Sequence, residues 1–242
     1  MTIAVMQPYF APYLGYFQLV NRVDKFVIYS CVKYNHRGFI NRNYIRGLND
    51  KRVPLTIETD RKTRSDINKV KIDLNKQSFS DLNKKITLAY ESAKYYDEIV
   101  DLIEDLFLYD FADLDILLEY QLRLFFKILN IETSIEFIRD GSVVNEDSLR
   151  NISNKQERIH ERVFRLCRHF NSHNYVNAIG GIDLYDKTLF ANEGLNIRFI
   201  AMKEQHFSSM QYSSMPFLSI IDVLMTNGIS NTQKLLNEFD LY

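Results

Sequence analysis

Apolar residues fall into short runs at the start of the chain and into helical stripes through its middle. Ile3 to Met6 is an apolar run closed by Gln7-Pro8, which predicts a first, buried strand. Between Leu14 and Val23 the positions Phe17, Leu19, Val20 and Val23 fit a helical face, and Lys25 to Tyr29 is a second β-branched and aromatic run of strand length. Strand, loop, helix and strand within about 30 residues predict a parallel βαβ unit. That unit places the loop from Gln7 to Tyr13 at the carboxyl end of the first strand, where open α/β sheets bind their ligands.

Beyond Val32 the periodicity lapses into a polar, cationic and aromatic stretch, Lys33 to Asn43, which reads as a functional loop. Arg52 to Glu58 and Val70 to Leu74 read as strands. Helices follow: one beginning at Ser80-Asp81, one carrying Ile99, Leu102, Ile103, Leu106 and Phe107 on a single stripe, and one from Asp115 to Leu129 that is apolar on most sides. Ser134 to Ile138, Tyr175 to Ile179 and Asn196 to Met202 predict further strands, with a helix over Lys155 to Phe170 between the first two. Two C-terminal helices are expected, Phe217 to Met225 stopped by Asn227-Gly228, and Thr232 to Phe239. The predicted class is α/β with a mainly parallel open sheet and a helical middle, in one domain over residues 1–242 with a helical insertion around 80–130. No repeat or low-complexity linker interrupts it.

Composition narrows the classes. The 242 residues are 46% hydrophobic and 25% charged, ordinary for a globular chain. A net charge of -1, from 30 basic and 31 acidic residues, gives no overall cationic excess for a polyanion, so nucleic acid is not the expected partner. No window approaches the ~20 apolar residues of a membrane span. The N-terminus lacks the basic and apolar segments of a signal peptide. Cys31 and Cys167 have no metal-site spacing, and Cys167 reads as a free core thiol in a cytoplasmic protein. His169 and His173, four apart, fall at a helix end, and no metal site is assigned. His160 is expected on a solvated helix face.

Three segments carry candidate chemistry. In the first, Gln7-Pro8-Tyr9-Phe10-Ala11-Pro12-Tyr13-Leu14-Gly15-Tyr16, two of the chain's four prolines stiffen the backbone. Gly15 permits close approach there, and Tyr9, Tyr13 and Tyr16 supply hydroxyls; a rigid connector packed on the sheet is the alternative. In the second, Tyr34 to Arg42, the guanidinium groups of Arg37 and Arg42 suit a diphosphate or carboxylate, with Asn35, Asn41 and Asn43 as neutral donors; a solvated basic loop is the alternative. The third runs from His206 through Gln211-Tyr212 to Met225. Asp222 stands there in an apolar helix with Ser219 three residues before it, and a carboxylate so placed must pair, cap or work. An ion pair with Arg37 or Arg42 would satisfy it.

The segments MQPYFAPYLGYFQLVNRVDKFVIYSCVKYNHRGFINRN, YVNAIGGIDLYD and PFLSIIDVLMTNG resemble the WbqC-like protein family over nearly the whole chain. The resemblance adds Asn177 to the substrate-binding candidates and implies a role in making or modifying a sugar for surface polysaccharide, as in O-antigen synthesis. The family's acidic residue after the second strand is replaced here by Ser30-Cys31. The opening is also similar to that of nucleotidylyltransferases and pantothenate synthetase, a HUP or Rossmann-like start. At the place of their histidine-x-glycine-histidine motif stands Tyr13-Leu14-Gly15-Tyr16. Without the two charge-stabilising histidines, adenylyl transfer is disfavoured, and fold analogy alone does not assign a reaction.

The leading expectation is a transferase that modifies a nucleotide-activated aminosugar by N-acyl or aminoacyl transfer. His206 serves as base and Asp222 as its orienting or independent carboxylate. Gln7, Tyr9, Tyr13, Gly15, Tyr16, Tyr34, Asn35, Arg37, Asn41, Arg42, Asn177, Gln211, Tyr212 and Ser219 line the substrate. No fixed cofactor is required, and an activated acyl donor is admitted. The alternatives are a metal-independent glycosyltransferase and a non-catalytic sugar-nucleotide-binding or assembly protein; oligomeric state is left open.

Overall fold

The apolar run at the start of the chain becomes the centre of the sheet. In the computed structural model, which describes residues 1–60, 65–203 and 217–242, β1 (Thr2–Met6) leads through α1 (Leu14–Arg22) to β2 (Lys25–Tyr29). The strands pair in parallel, Met6 opposite Ile28, as the βαβ reading requires. A hairpin follows, β3 (Arg42–Arg46) antiparallel to β4 (Arg52–Thr56), and forms a separate two-stranded sheet. The helical middle comprises α2 (Phe79–Tyr90), α3 (Tyr96–Glu104) and α4 (Leu114–Ile128). The chain then returns to the main sheet as β5 (Ser134–Ile138), parallel to β2.

After the short α5 (Glu146–Arg150) and the longer α6 (Lys155–His169), β6 (Asn174–Ala178) pairs on the other side of β1. Then come α7 (Lys187–Asn192), β7 (Asn196–Met202), α8 (Ile220–Leu235) and β8 (Phe239–Leu241). The sheet order is β5-β2-β1-β6-β7-β8, parallel except for β8. Its strands read as near-continuous apolar runs because both faces are covered. Ala4, Phe26, Ile28, Val176 and Ile200 pack against Phe17, Phe125, Ile221 and Leu224 from α1, α4 and α8. On the opposite face Ile3, Tyr175 and Phe199 pack against Val163, Phe164 and Cys167 of α6 and Phe190 of α7. The connections change faces between β5 and β6, so the strand order reverses at β1. The crevice between the carboxyl ends of β1 and β6 is therefore a topological switch point.

Several local expectations are corrected. Val70 to Leu74 is not a strand. It forms only isolated bridges, Ile72 with Thr59 and Lys71 with Asp113, and its alternation reports that Val70 and Ile72 turn into the core. The expected break between the C-terminal helices falls at Gly228 (φ 72°, ψ 171°), which is non-helical within the span of α8, but the first helix starts at Ile220 rather than Phe217 and the second ends by Leu235. Tyr95 lies where a side chain at 228 would project, and Glu98 Oε1 accepts the Ile229 amide at 3.1 Å. Phe239 does not end a helix but opens β8, which pairs with Met202 on the sheet edge.

His160 is buried rather than solvated. The short α7, with its preceding turn, closes over it: Nε2 accepts the Asp186 amide at 2.9 Å, so Nδ1 carries the proton and donates to the Gln156 carbonyl at 2.8 Å. Both cysteines are free and buried, and burial pushes their thiols up, Cys31 to about 11 and Cys167 to about 12.

Candidate functional site

The loop from Gln7 to Tyr13 leaves the carboxyl end of β1 and is fixed by residues from distant parts of the chain. Asn43 of β3 donates to the carbonyls of Phe10 (3.2 Å) and Ala11 (2.8 Å). Ser219, the N-cap of α8, donates its hydroxyl to the Ala11 carbonyl at 2.8 Å, and the Ile220 amide donates to Pro12 at 2.7 Å. These bonds hold Ala11 at φ 38°, a left-handed geometry that costs a residue with a side chain about 1 kcal/mol or more. Prolines on either side of Tyr9-Phe10-Ala11 remove further freedom.

On this rigid loop the tyrosines sort into two kinds. Tyr16 is fully buried and donates to the Gln7 carbonyl at 3.2 Å, its ring edge-on to Phe26. Tyr9 and Tyr13 are half-buried. The Tyr9 ring lies 5.6 Å from Tyr16 and 6.1 Å from Phe39, and Tyr13 meets Phe217 edge-on at 5.5 Å. Neither of their hydroxyls, nor the side-chain amide of Gln7, hydrogen-bonds to any described residue. Burial pushes Tyr13 up to about 12 and raises Tyr9 and Tyr16, and the nearness of Tyr9 adds to the effect on Tyr13 and Tyr16. All three stay protonated at neutral pH and act as neutral donors. A side chain at Gly15 would lie 2.6 Å from the Tyr13 ring and 3.2 Å from Met202. The close approach that Gly15 allows is thus that of Tyr13 to the helix start.

Across the crevice, Asn177 is buried at the end of β6 with its amide engaged at both ends: Nδ2 donates to the Tyr175 hydroxyl (3.1 Å), and Oδ1 accepts the Ala178 amide (2.7 Å). It shapes the turn through Gly180-Gly181, where Gly181 packs against it. The second predicted segment is ordered largely by its own bonds. Arg42 opens β3 and spends its guanidinium on the carbonyls of Gly38 (3.2 Å) and Arg37 (2.5 Å). Tyr34 shares a hydrogen bond with Thr59 (3.0 Å), Asn35 accepts the Arg37 amide (3.0 Å), and buried Asn41 donates to Ile57 (2.9 Å). Arg37 itself is exposed.

In the third segment Asp222 is wholly buried in the first turn of α8. Tyr90 of α2 donates to its Oδ1 at 2.5 Å, and Arg46 Nε of β3 lies 3.9 Å from the same oxygen. The Tyr90 hydroxyl in turn accepts the Arg46 amide at 3.1 Å. The arginine that pairs with the carboxylate is Arg46 and not Arg37 or Arg42; its guanidinium hydrogen-bonds Asp50 at 2.8 Å, and the Tyr90 hydroxyl supplies the hydrogen bond to Asp222. Asp222 ties α2, β3 and α8 together beneath the loop. His206, Gln211 and Tyr212 lie outside the described residues. The structure therefore gathers Gln7, Tyr9, Tyr13, Gly15, Tyr16 and Ser219 about one loop, while Asn35 and Arg37 sit on the exposed turn beside Phe39.

Sequence reasoning missed a second feature, a cleft of ≈ 650 Å³ at the carboxyl ends of β2 and β5. Its frame is a buried charge network. Glu146 accepts from Tyr29 (2.9 Å) and from Arg162 through two bonds (3.0 and 2.6 Å), and Arg150 bridges to Asp66 at 2.6 Å. Burial opposes ionisation of Asp66, but the bonds from Arg150 and Lys33 outweigh it and hold the carboxyl below its ordinary value. A signal for this cleft was available: once β5 is read as parallel to β2, Arg139-Asp140 must leave the sheet at the same edge as Gln7.

Among the described residues no three histidine, cysteine or acidic side chains assemble into a metal-binding group, and no helix is long and apolar enough to cross a membrane. No solved structure matches the chain. A curated relative is the uncharacterized protein Rv1507c of Mycobacterium tuberculosis, 22% identical over 231 residues, covering 93% of this chain and 94% of that protein. The model of the WbqC-like protein family matches residues 7–234. That span begins at Gln7, the first residue after β1, and closes within α8, so it takes in the loop and the helix cap that anchors it; the chain belongs to the WbqC-like protein family.

Proposed function

We propose that the protein is a transferase that binds a nucleotide-activated aminosugar at the switch point and modifies it for surface-polysaccharide synthesis by N-acyl or aminoacyl transfer to the sugar amine. The observation that carries this reading is the trio of polar heads on the β1 loop, Gln7, Tyr9 and Tyr13, that hydrogen-bond to no side chain or backbone group among the described residues. Rings carrying hydroxyls beside an amide suit a pyranose, which presents apolar faces and a rim of hydroxyls. Their place at the carboxyl end of the central strand of an open α/β sheet supports the same reading. The attacking amine needs a base, and His206 is assigned that role, its imidazole taking the proton as the nitrogen bonds to the acyl carbon and the donor's activating group leaves with the electron pair of its own bond to that carbon. Asp222, buried and engaged by Tyr90 and Arg46, supports the loop from below.

A thermal-shift screen against nucleotide-sugars tests the binding. A ligand at about 100 times its Kd adds about 2.7 kcal/mol, and for a chain of this size that moves the Tm by roughly 5–11 °C. Mass spectrometry with acyl donors then tests the reaction. An intact nucleotide-sugar with added acyl mass, lost in His206→Ala, is the expected product. A released nucleoside diphosphate would mean glycosyl transfer instead, and binding without turnover under every donor would mean a non-catalytic binding protein.

A further inference from the structure

The cleft at the carboxyl ends of β2 and β5 holds charges of both signs in two states of commitment. Glu146 and Asp66 are nine-tenths buried and tied by Arg162 and Arg150, and Arg139 is tied to Asp115 and Glu119. These pairs form a fixed frame. Lys69 and Asp147 line the same cleft, are exposed, and form no ion pair among the described residues. Lys69 is thus the basic side chain of the lining without an ion pair among the described residues, and Asp147 the acidic one with neither ion pair nor hydrogen bond there; Asp140 has no ion pair either, but its carboxylate accepts from the Ser142 amide and hydroxyl.

The lining decides between ligand classes. It contains three basic residues, Lys69, Arg139 and Arg150, against four acidic ones, Asp66, Asp140, Glu146 and Asp147, a net of -1. A diphosphate would meet no positive excess there, whereas a small zwitterion finds a partner for each of its charges. The cleft's ≈ 650 Å³ is within the usual range for small-molecule sites. We infer that this cleft binds a free α-amino acid, with Asp147 taking the ammonium and Lys69, flanked by Arg150, taking the carboxylate.

β1 and β2 are paired neighbours, so Gln7 and Cys31 leave the sheet on strands about 4.8 Å apart. The amino-acid site therefore adjoins the crevice of the tyrosine loop. The inference stands without the reading of that crevice, because amino-acid binding is measured with no nucleotide-sugar present.

The test is isothermal titration of the full-length protein with the common amino acids one at a time, repeated for any that binds with its des-amino and decarboxylated analogues. Asp147→Asn and Lys69→Gln are the variants, both at exposed positions, with unchanged Tm as the check on folding. The expected result is saturable binding of at least one amino acid that weakens about tenfold or more in each variant, the loss of one charged hydrogen bond. Both analogues should weaken similarly. No saturable binding of any amino acid to the wild type, or binding unchanged in both variants, would overturn the assignment. In either case nucleotide-sugar binding through Tyr9 and Tyr13 remains a separate measurement.

Discussion

Removing one oxygen at a time from the tyrosine loop separates residues that hold the fold from residues that face a ligand. Tyr16 is fully buried and its hydroxyl bonds to the Gln7 carbonyl, so Tyr16→Phe deletes an internal hydrogen bond. The cost is about 0.5–1.5 kcal/mol, or a Tm lower by roughly 1–6 °C at this chain length. Tyr9→Phe and Tyr13→Phe delete hydroxyls that bond to no described residue, and stability should stay within about 0.5 kcal/mol of wild type. The ligand should register the opposite order. Each lost phenol contact of about 0.5–1.5 kcal/mol weakens Kd by roughly 2- to 13-fold. With the Tyr13 phenol up near 12, both hydroxyls remain donors at neutral pH and do not themselves make binding pH-dependent there. Thermal melts and titration calorimetry with a nucleotide-sugar from the screen read the two quantities on the same samples. Melting points depressed in Tyr9→Phe and Tyr13→Phe as much as in Tyr16→Phe, or a Kd indifferent to both, would refute the division.

Two further outcomes follow from the geometry. Gly228 occupies a backbone region nearly reserved for glycine, and an added Cβ would lie 2.7 Å from the Tyr95 ring. Gly228→Ala should therefore cost about 3 kcal/mol in urea denaturation, and a loss under about 1 kcal/mol would show that α8 re-forms without its bend. Asp66 has a depressed carboxyl in the fold, so its stabilising contribution is complete above the ordinary aspartate value of 3.8 and is lost as pH falls through the folded value. Melting curves of wild type and Asp66→Asn should converge below pH 3.8, and curves that stay parallel there would remove Asp66 as a cause.

The sheet was legible because parallel strands covered on both faces must be apolar at nearly every position. Ile3 to Met6 and Phe26 to Tyr29 announce themselves in this way, while Ser134 to Ile138 and Asn196 to Met202, with Ser134, Asn196 and Arg198 exposed, are marked by β-branched and aromatic residues over a strand's length. The loop after β1 could be placed at the ligand edge because topology alone puts it there. Pairings across the chain were not legible. Tyr90 meets Asp222 across 132 residues, and nothing local to either marks the other as its partner. Arg42 looked like a ligand-binding cation because a sequence does not show that its guanidinium closes on the carbonyls four and five residues before it. His160 was misjudged because its polar neighbours on α6 mask the cover supplied by α7, too short for periodicity to reveal.

The seating of the first loop by Ser219 sets an order of assembly. Asn43 reaches the loop from 32 positions away, but Ser219 is separated from Ala11 by 208, and Gln18 of α1 is likewise held by the carbonyls of Leu235 and Glu238 near the other terminus. A growing polypeptide presents Gln7, Tyr9 and Tyr13 long before it presents their anchor. Contacts of such span close late, since chain entropy must be overcome first. The loop made first in synthesis is thus finished last, and a ribosome-bound chain halted before Ser219 has emerged would carry every tyrosine of the site without its shape.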